Sequence, residues 1–269
     1  MWQIDYREAK ASKDGALWSL DPPLIEGKTK MVSTAPPLID EPPVIVLVGA
    51  DKGGVGKTTV ARALADYLQA AKPRLIDTQA PAGDLRGFYP KAEILDLSST
   101  TAQMHAFDNP GPLTIIDVGA GMLTPTIAML ERVGILNDVR AGAVRLVLLY
   151  LLGPSVASLS EVVEANKTIA GKLELFFVKN HVNATDYFGW EKDPRFGEAL
   201  AAMKPRMVDV PQLNEVAAET VQQRGQPFSA FAADTSNSRI LRGYVADWMA
   251  RVRAEIDRVG VGQAVAVVR

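Results

Sequence analysis

The chain has no cysteine, so disulfides and thiolate-held metal or iron–sulfur centres are excluded. Histidine is scarce as well: His105 and His181 are the only two, and they suggest no metal site. Long apolar runs are missing. The longest candidate, Leu146 to Leu152, has the length of a strand and falls far short of the roughly 20 residues that span a bilayer. Neither sign of charge dominates, with 29 Lys and Arg against 31 Asp and Glu, which argues against a general basic coat for nucleic acid and leaves only a local patch for any such contact. The first residues include Asp5, Arg7, Glu8 and Lys10 and form no apolar signal core. A soluble, cytoplasmic protein is expected.

What the chain does have is apolar material for one α/β domain, 48% of 269 residues, with at most an added arm. Its most informative stretch is Asp51-Lys52-Gly53-Gly54-Val55-Gly56-Lys57-Thr58-Thr59, set between the apolar run Val44 to Val48 and a helical pattern from Val60 to Leu68. Strand, glycine-rich loop and helix follow one another. Glycines let successive N–H groups turn inward around an anion, and the helix offers its positive end to the same anion. A polyphosphate is the natural occupant. Lys57 is placed to reach the outer phosphates and Thr58 to hold a Mg²⁺ that bridges them. The ordinary phosphate-loop pattern has glycine at 51, where this chain has Asp, and here a further lysine opens the loop.

The Lys-Gly-Gly-x-Gly-Lys-Thr-Thr run resembles the deviant Walker A motif of the ParA/MinD family of P-loop ATPases, which position DNA, division proteins and other cargo. The resemblance implies ATP with Mg²⁺ as cofactor, backbone contacts to phosphate from Gly53, Gly54, Val55 and Gly56, and side-chain contacts from Lys57, Thr58 and Thr59. It gives Lys52 the part of the signature lysine, which reaches across a homodimer to the partner's nucleotide. Relatives that use cysteine for clusters or metals, such as the nitrogenase iron protein and the arsenite-pump ATPases, are set aside by composition.

Downstream, Pro73 to Asp77 reads as a strand ending in an acid. The family usually ends this strand in Asp-x-Asp, the second acid orienting the attacking water. The matching pair here is Asp77 and Gln79, and glutamine can position water but cannot take its proton. Either slow hydrolysis follows, or another residue such as Asp84 serves. Asp77 has a plainer reading too, as a cap of the following turn. Glu93 to Leu97 suggests a short strand and Ser98 to Thr101 a helix cap. Leu113 to Gly121 delivers Asp117 at the end of an apolar strand, the Walker B arrangement in which the acid holds Mg²⁺ through water, with Gly119 and Gly121 letting the backbone approach the γ-phosphate.

Thr124 to Asn137 is helical in pattern, Ala143 to Leu152 a buried strand, Val156 to Ala170 an amphipathic helix with Leu159, Val162, Val163 and Ile169 inward, and Lys172 to Asn180 a further strand. The resemblance makes Asn180 a base contact and puts Pro211, after the strand from Arg206, in the base-enclosing loop. The GTP-selecting Asn-Lys-x-Asp is absent, since Asn166-Lys167-Thr168-Ile169 lacks the acid, and ATP is favoured. Gln212 to Gln223 reads as a helix stopped by Gly225 and Pro227. The last helix, Ser236 to Val259, carries Arg239, Arg242, Arg251 and Arg253 among acids, a mixture that reads as a solvated face, while arginines in this region of ParA-like proteins bind DNA non-specifically.

The expected fold is a three-layer α/β P-loop NTPase fold with a mostly parallel twisted sheet flanked by helices. The expected divisions are a Pro-rich arm at 1–43, bearing Trp2, Tyr6 and Trp18, an ATPase domain at 44–259 and a tail at 260–269. The expected function is a ParA-type cycle of ATP-driven dimerisation and slow hydrolysis that positions plasmid, chromosomal or other cargo with a ParB-like or other activator. The alternative is a MinD-like regulator acting on a protein or membrane partner with little turnover. A membrane contact is the weaker option, because the tail has little amphipathic moment. For an amide-forming ligase on this fold there is no second substrate signature, and no tyrosine follows Tyr244 as a tyrosine-kinase relative would require.

Overall fold

Seven strands form one sheet in which every pairing is parallel, in the order β3-β2-β4-β1-β5-β6-β7. They are β1 Val44–Gly49, β2 Arg74–Asp77, β3 Glu93–Ile94, β4 Leu113–Asp117, β5 Arg145–Leu152, β6 Glu174–Asn180 and β7 Met207–Val210. The computed structural model describes residues 41–153, 157–182, 201 and 204–266. The arm expected at 1–43 lies outside these residues up to position 40, together with Trp2, Tyr6 and Trp18, and so do the side chains of Leu159 and Val162.

Nine helices connect or cover the strands among the described residues. They are α1 Lys57–Tyr67, α2 Thr100–Phe107, α3 Leu123–Arg132, α4 Ile135–Arg140, α5 Ala157–Ile169, α6 Glu215–Arg224, α7 Phe228–Ala233, α8 Arg239–Val259 and α9 Val261–Val265. The strands are buried on both faces, so they read as continuous apolar runs. Alternate residues feed two cores. Val44, Val46 and Val48 pack with α1 and α6 to α9, whereas Ile45 and Leu47 pack with α2 to α5.

The chain departs leftward from central β1 to β2 and later rightward to β5, which leaves a crevice at the carboxyl ends of the strands. Register puts Val48 beside Asp117 and Asp117 beside Asp77, so the loop after β1 and the ends of β4 and β2 meet at one level.

One sequence expectation is corrected, and two elements are added to what the sequence suggested. The helix expected over 124–137 is two helices, because Gly134 at φ 90° breaks it. Beyond the stop at Gly225, Pro227 opens the extra short helix α7, whose Phe228 and Phe231 are buried. The tail expected at 260–269 is in part core: Val261, Ala264 and Val265 are buried. The Arg145 guanidinium donates to the carbonyls of Gln263, Ala264 and Ala266, satisfying groups that the short helix leaves open. Among the described residues no helix is long and apolar enough to cross a membrane.

Candidate functional site

The loop between β1 and α1 is built for an anion. Gly54 and Gly56 take φ of 72° and 81°, a region costly for any residue with a β-carbon. Gly56 is further required because a Cβ there would collide with Nδ2 of Asn180. Helix α1 has no acid in its first turn, so its positive end is left for a ligand. Lys57 is buried at the head of that helix and donates from Nζ to the Lys52 carbonyl at 2.8 Å, closing the loop on itself. Burial pulls its ammonium below the usual lysine range, against the opposing pull of the Asp117 and Asp51 carboxylates.

Thr58 donates to Asp117 Oδ2 at 2.6 Å, and the other carboxylate oxygen of Asp117 is buried without a hydrogen-bond partner. Asp117 is wholly buried, and that desolvation pushes its carboxyl up to about 7, more than the Thr58 hydrogen bond lowers it. A hydroxyl and an orphaned carboxylate oxygen beside a phosphate cradle suit a hard divalent cation that shares its shell with phosphates and water. Mg²⁺ is typically held this way, by one or two protein ligands. Among the described residues there is no cluster of three or more His, Cys, Asp or Glu that would cage a metal independently.

Asp77 does not face this space. It is fully buried, one oxygen accepting from Gln79 N at 2.8 Å and the other from Leu85 N at 2.7 Å. Both oxygens thus brace the turn that follows, the arrangement of the capping reading. Gln79 and Asp84, held by that turn, do line the phosphate cleft. Gln79 lies between Thr58 and Gly119, Nε2 at 3.5 Å from Thr58 Oγ1 and Cγ near where a Cβ on Gly119 would stand.

Two openings of about 340 Å³ each adjoin the loop. One is bounded by Gly54, Gly56, Lys57, Thr58, Gln79 and Asp84. The other holds both residues expected at the base, Asn180 and Pro211, with His181 and Leu213. Asn180 is engaged with the loop itself, donating to the Val55 carbonyl at 3.0 Å. Pro211 is fixed by its carbonyl, which accepts from the buried Trp248 indole at 2.6 Å. Thr59, Arg62 and Gln222 belong to both openings.

The Lys52 ammonium is engaged elsewhere, 2.7 Å from Glu161 on α5, and is partly exposed. Asp51 has a use that the motif does not explain. Its carboxylate accepts from Thr124 N and Oγ1, and its carbonyl from Gly121 N, tying the loop to the segment after Asp117.

The four arginines singled out on α8 do not form one free patch. Arg239 and Arg253 are exposed, Arg242 is half-buried, and Arg251 is paired with Asp247 at 2.8 Å. At 3.6 residues per turn, Arg239, Arg242 and Arg253 fall on one side, with Arg251 roughly a third to a half of a turn away from them.

No protein-family model matches the sequence, and no curated protein matches it. The fold does match known structures. A ParA family ATPase from Chlorobium tepidum TLS superposes with a TM-score of 0.50 over 78% of this chain and 98% of its own, at 14% identity. The fold is that of a ParA-family ATPase. A MinD cell division protein from Aquifex aeolicus aligns over 79% of this chain and 97% of its own, at 16% identity and a TM-score of 0.43. In the ParA-like fold the crevice at the strand ends is where the loop, Thr58 and Asp117 converge here.

Sequence reasoning missed Arg62, Gln222 and the Asp51–Thr124 link. Arg62 had a signal, being the lone charge in Val60-Ala61-Arg62-Ala63-Leu64-Ala65. Gln222 and Thr124 reach the site only through tertiary packing and had none.

Proposed function

We propose that this protein is a ParA-type ATPase that binds Mg-ATP, dimerises on it and hydrolyses it slowly. The observation that carries the reading is the Thr58–Asp117 pair, with its unpartnered buried oxygen, beside a glycine cradle that holds Lys57. Mg²⁺ held by Thr58, and by Asp117 through water, would neutralise charge on the β- and γ-phosphates. Gly54 and Gly56 orient loop amides toward those phosphates, and Lys57 exchanges its bond to the Lys52 carbonyl for a phosphate oxygen. Gln79 holds the attacking water by hydrogen bonds. Because its amide cannot accept the proton, turnover is slow until a partner protein supplies what is missing. Asn180 and Pro211 border the adenine half.

The work of such a cycle is positional: the ATP-bound dimer holds a surface and hydrolysis releases it. Arg239 and Arg253, exposed on one side of α8, support DNA as that surface. The test is fluorescence anisotropy of a labelled random duplex titrated with protein in Mg-ATP and in Mg-ADP over a series of salt concentrations. Binding is expected only with ATP, and it should weaken steeply with salt. In Arg239→Ala with Arg253→Ala, affinity drops and the salt slope shrinks by about 1 for each phosphate that is no longer neutralised. Absence of binding at low salt in either nucleotide overturns the DNA reading and favours a regulator acting on a protein or membrane partner, for which Gln79 also speaks.

A further inference from the structure

A nucleotide lying in this crevice must cross from the base opening to the phosphate opening at the residues common to both, Thr59, Arg62 and Gln222. Arg62 is unusual among them. It projects from α1 one turn after Thr58 and is only 5% exposed. Its guanidinium carbon lies 3.2 Å from the ring centroid of Phe88 and 4.3 Å from that of Phe228. Its Nε and Nη2 are buried without any hydrogen-bond partner. Those two atoms form the edge with which an arginine grips two oxygens at once, as Arg74 Nε and Nη2 grip Glu93 at 2.7 Å each.

Asp66, four residues on, is the acid best placed to satisfy Arg62. It spends one oxygen on the Tyr89 and Ser229 hydroxyls and the other on the Ser229 amide. Burial accordingly pulls the Arg62 guanidinium down to about 10. A charge buried against two rings with its gripping edge unfilled is costly unless an anion completes it.

We infer that Arg62 is a positioning residue for the α-phosphate and ribose of the bound nucleotide, with Gln222 lining the same junction. The inference rests on the nucleotide reading proposed above. The rings of Phe88 and Phe228 fix the plane in which the guanidinium lies, and Arg62 lines both openings of the cleft. Since ATP and ADP share the α-phosphate, Arg62 serves both equally, unlike residues that reach the γ-phosphate. Phe88 follows the turn that carries Gln79 and Asp84, so the same contact fixes that segment against a filled site.

The test uses Arg62→Lys and Arg62→Met in the full chain. Titration calorimetry measures Mg-ADP and Mg-ATP affinity, thermal melting without nucleotide monitors the fold, and phosphorus NMR follows the α and β resonances of bound ADP. Removing a charge-assisted hydrogen bond weakens ADP and ATP alike, on the order of tenfold for Arg62→Met and less for Arg62→Lys. The α resonance moves while the β resonance stays, which a purely structural role would not produce. If Arg62→Met does not fold, Arg62→Lys carries the experiment. Unchanged affinity with an unmoved α resonance overturns the inference, and so does a shift of both resonances together. A wild-type protein that binds neither ADP nor ATP sinks the nucleotide reading itself, and with it this inference.

Discussion

Gly56 shows how much one position can settle. It ends the loop at φ 81°, caps α1, and leaves just enough room for Asn180 to reach across from β6 to the Val55 carbonyl. An alanine here meets a strained backbone and an occupied space together. Gly56→Ala should destabilise the nucleotide-free protein by about 1–3 kcal/mol and abolish detectable nucleotide binding, as chemical denaturation and calorimetry would report. An unaltered stability would mean that the loop relaxes without Asn180. At this scale the sequence was informative wherever chemistry is carried by residue type. Gly54, Gly56, Lys57, Thr58 and Asp117 were all legible from spacing alone. Asp77 kept two readings, because its type suits either a cap or a water-orienting acid, and its oxygens are seen here accepting from the turn. Arg62 escaped notice because nothing in the one-dimensional pattern says whether a lone helical charge is buried or solvated.

Elements were legible in proportion to their burial. β1, β4, β5 and β6 are apolar runs enclosed by helices on both sides, so pattern and structure agree. The tail misled for the opposite reason. Five residues with a glycine among them have no measurable amphipathic stripe, yet Val261 and Val265 are completely buried and join the core that contains Ile256 and Leu149. What holds them is remote in sequence: the Arg145 guanidinium at the start of β5 binds three carbonyls of the α9 region. Ending the chain after Gly260 removes two buried valines and strips Arg145 of its acceptors. The cost should be on the order of 3–5 kcal/mol, read as a lowered midpoint in urea with β-sheet circular dichroism retained below it. A shortened chain as stable as the full one would show that α9 only rests on the domain.

On the scale of the whole molecule, the sheet places two lysines with different prospects. Lys57 lines the crevice, buried and donating to the Lys52 carbonyl within its own loop. The Lys52 ammonium is partly exposed and 2.7 Å from Glu161, in an ion pair that contributes at most about 1 kcal/mol by the standard of exposed pairs. That is too weak to hold it there against a triphosphate brought by a second copy. If dimerisation on ATP is how the protein works, the two lysines separate binding from assembly. Lys57→Ala should lose nucleotide affinity outright. Lys52→Ala should bind ADP within about twofold of wild type, because the Lys52 ammonium pairs with Glu161 and not with the nucleotide of its own chain, and yet stay monomeric in Mg-ATP. Sedimentation velocity in ATP and ADP decides the matter. A wild-type protein that sediments identically in both nucleotides refutes the clamp, and a Lys52→Ala dimer would assign its closure to other residues on that face, among them those that Glu161 and Thr124 organise.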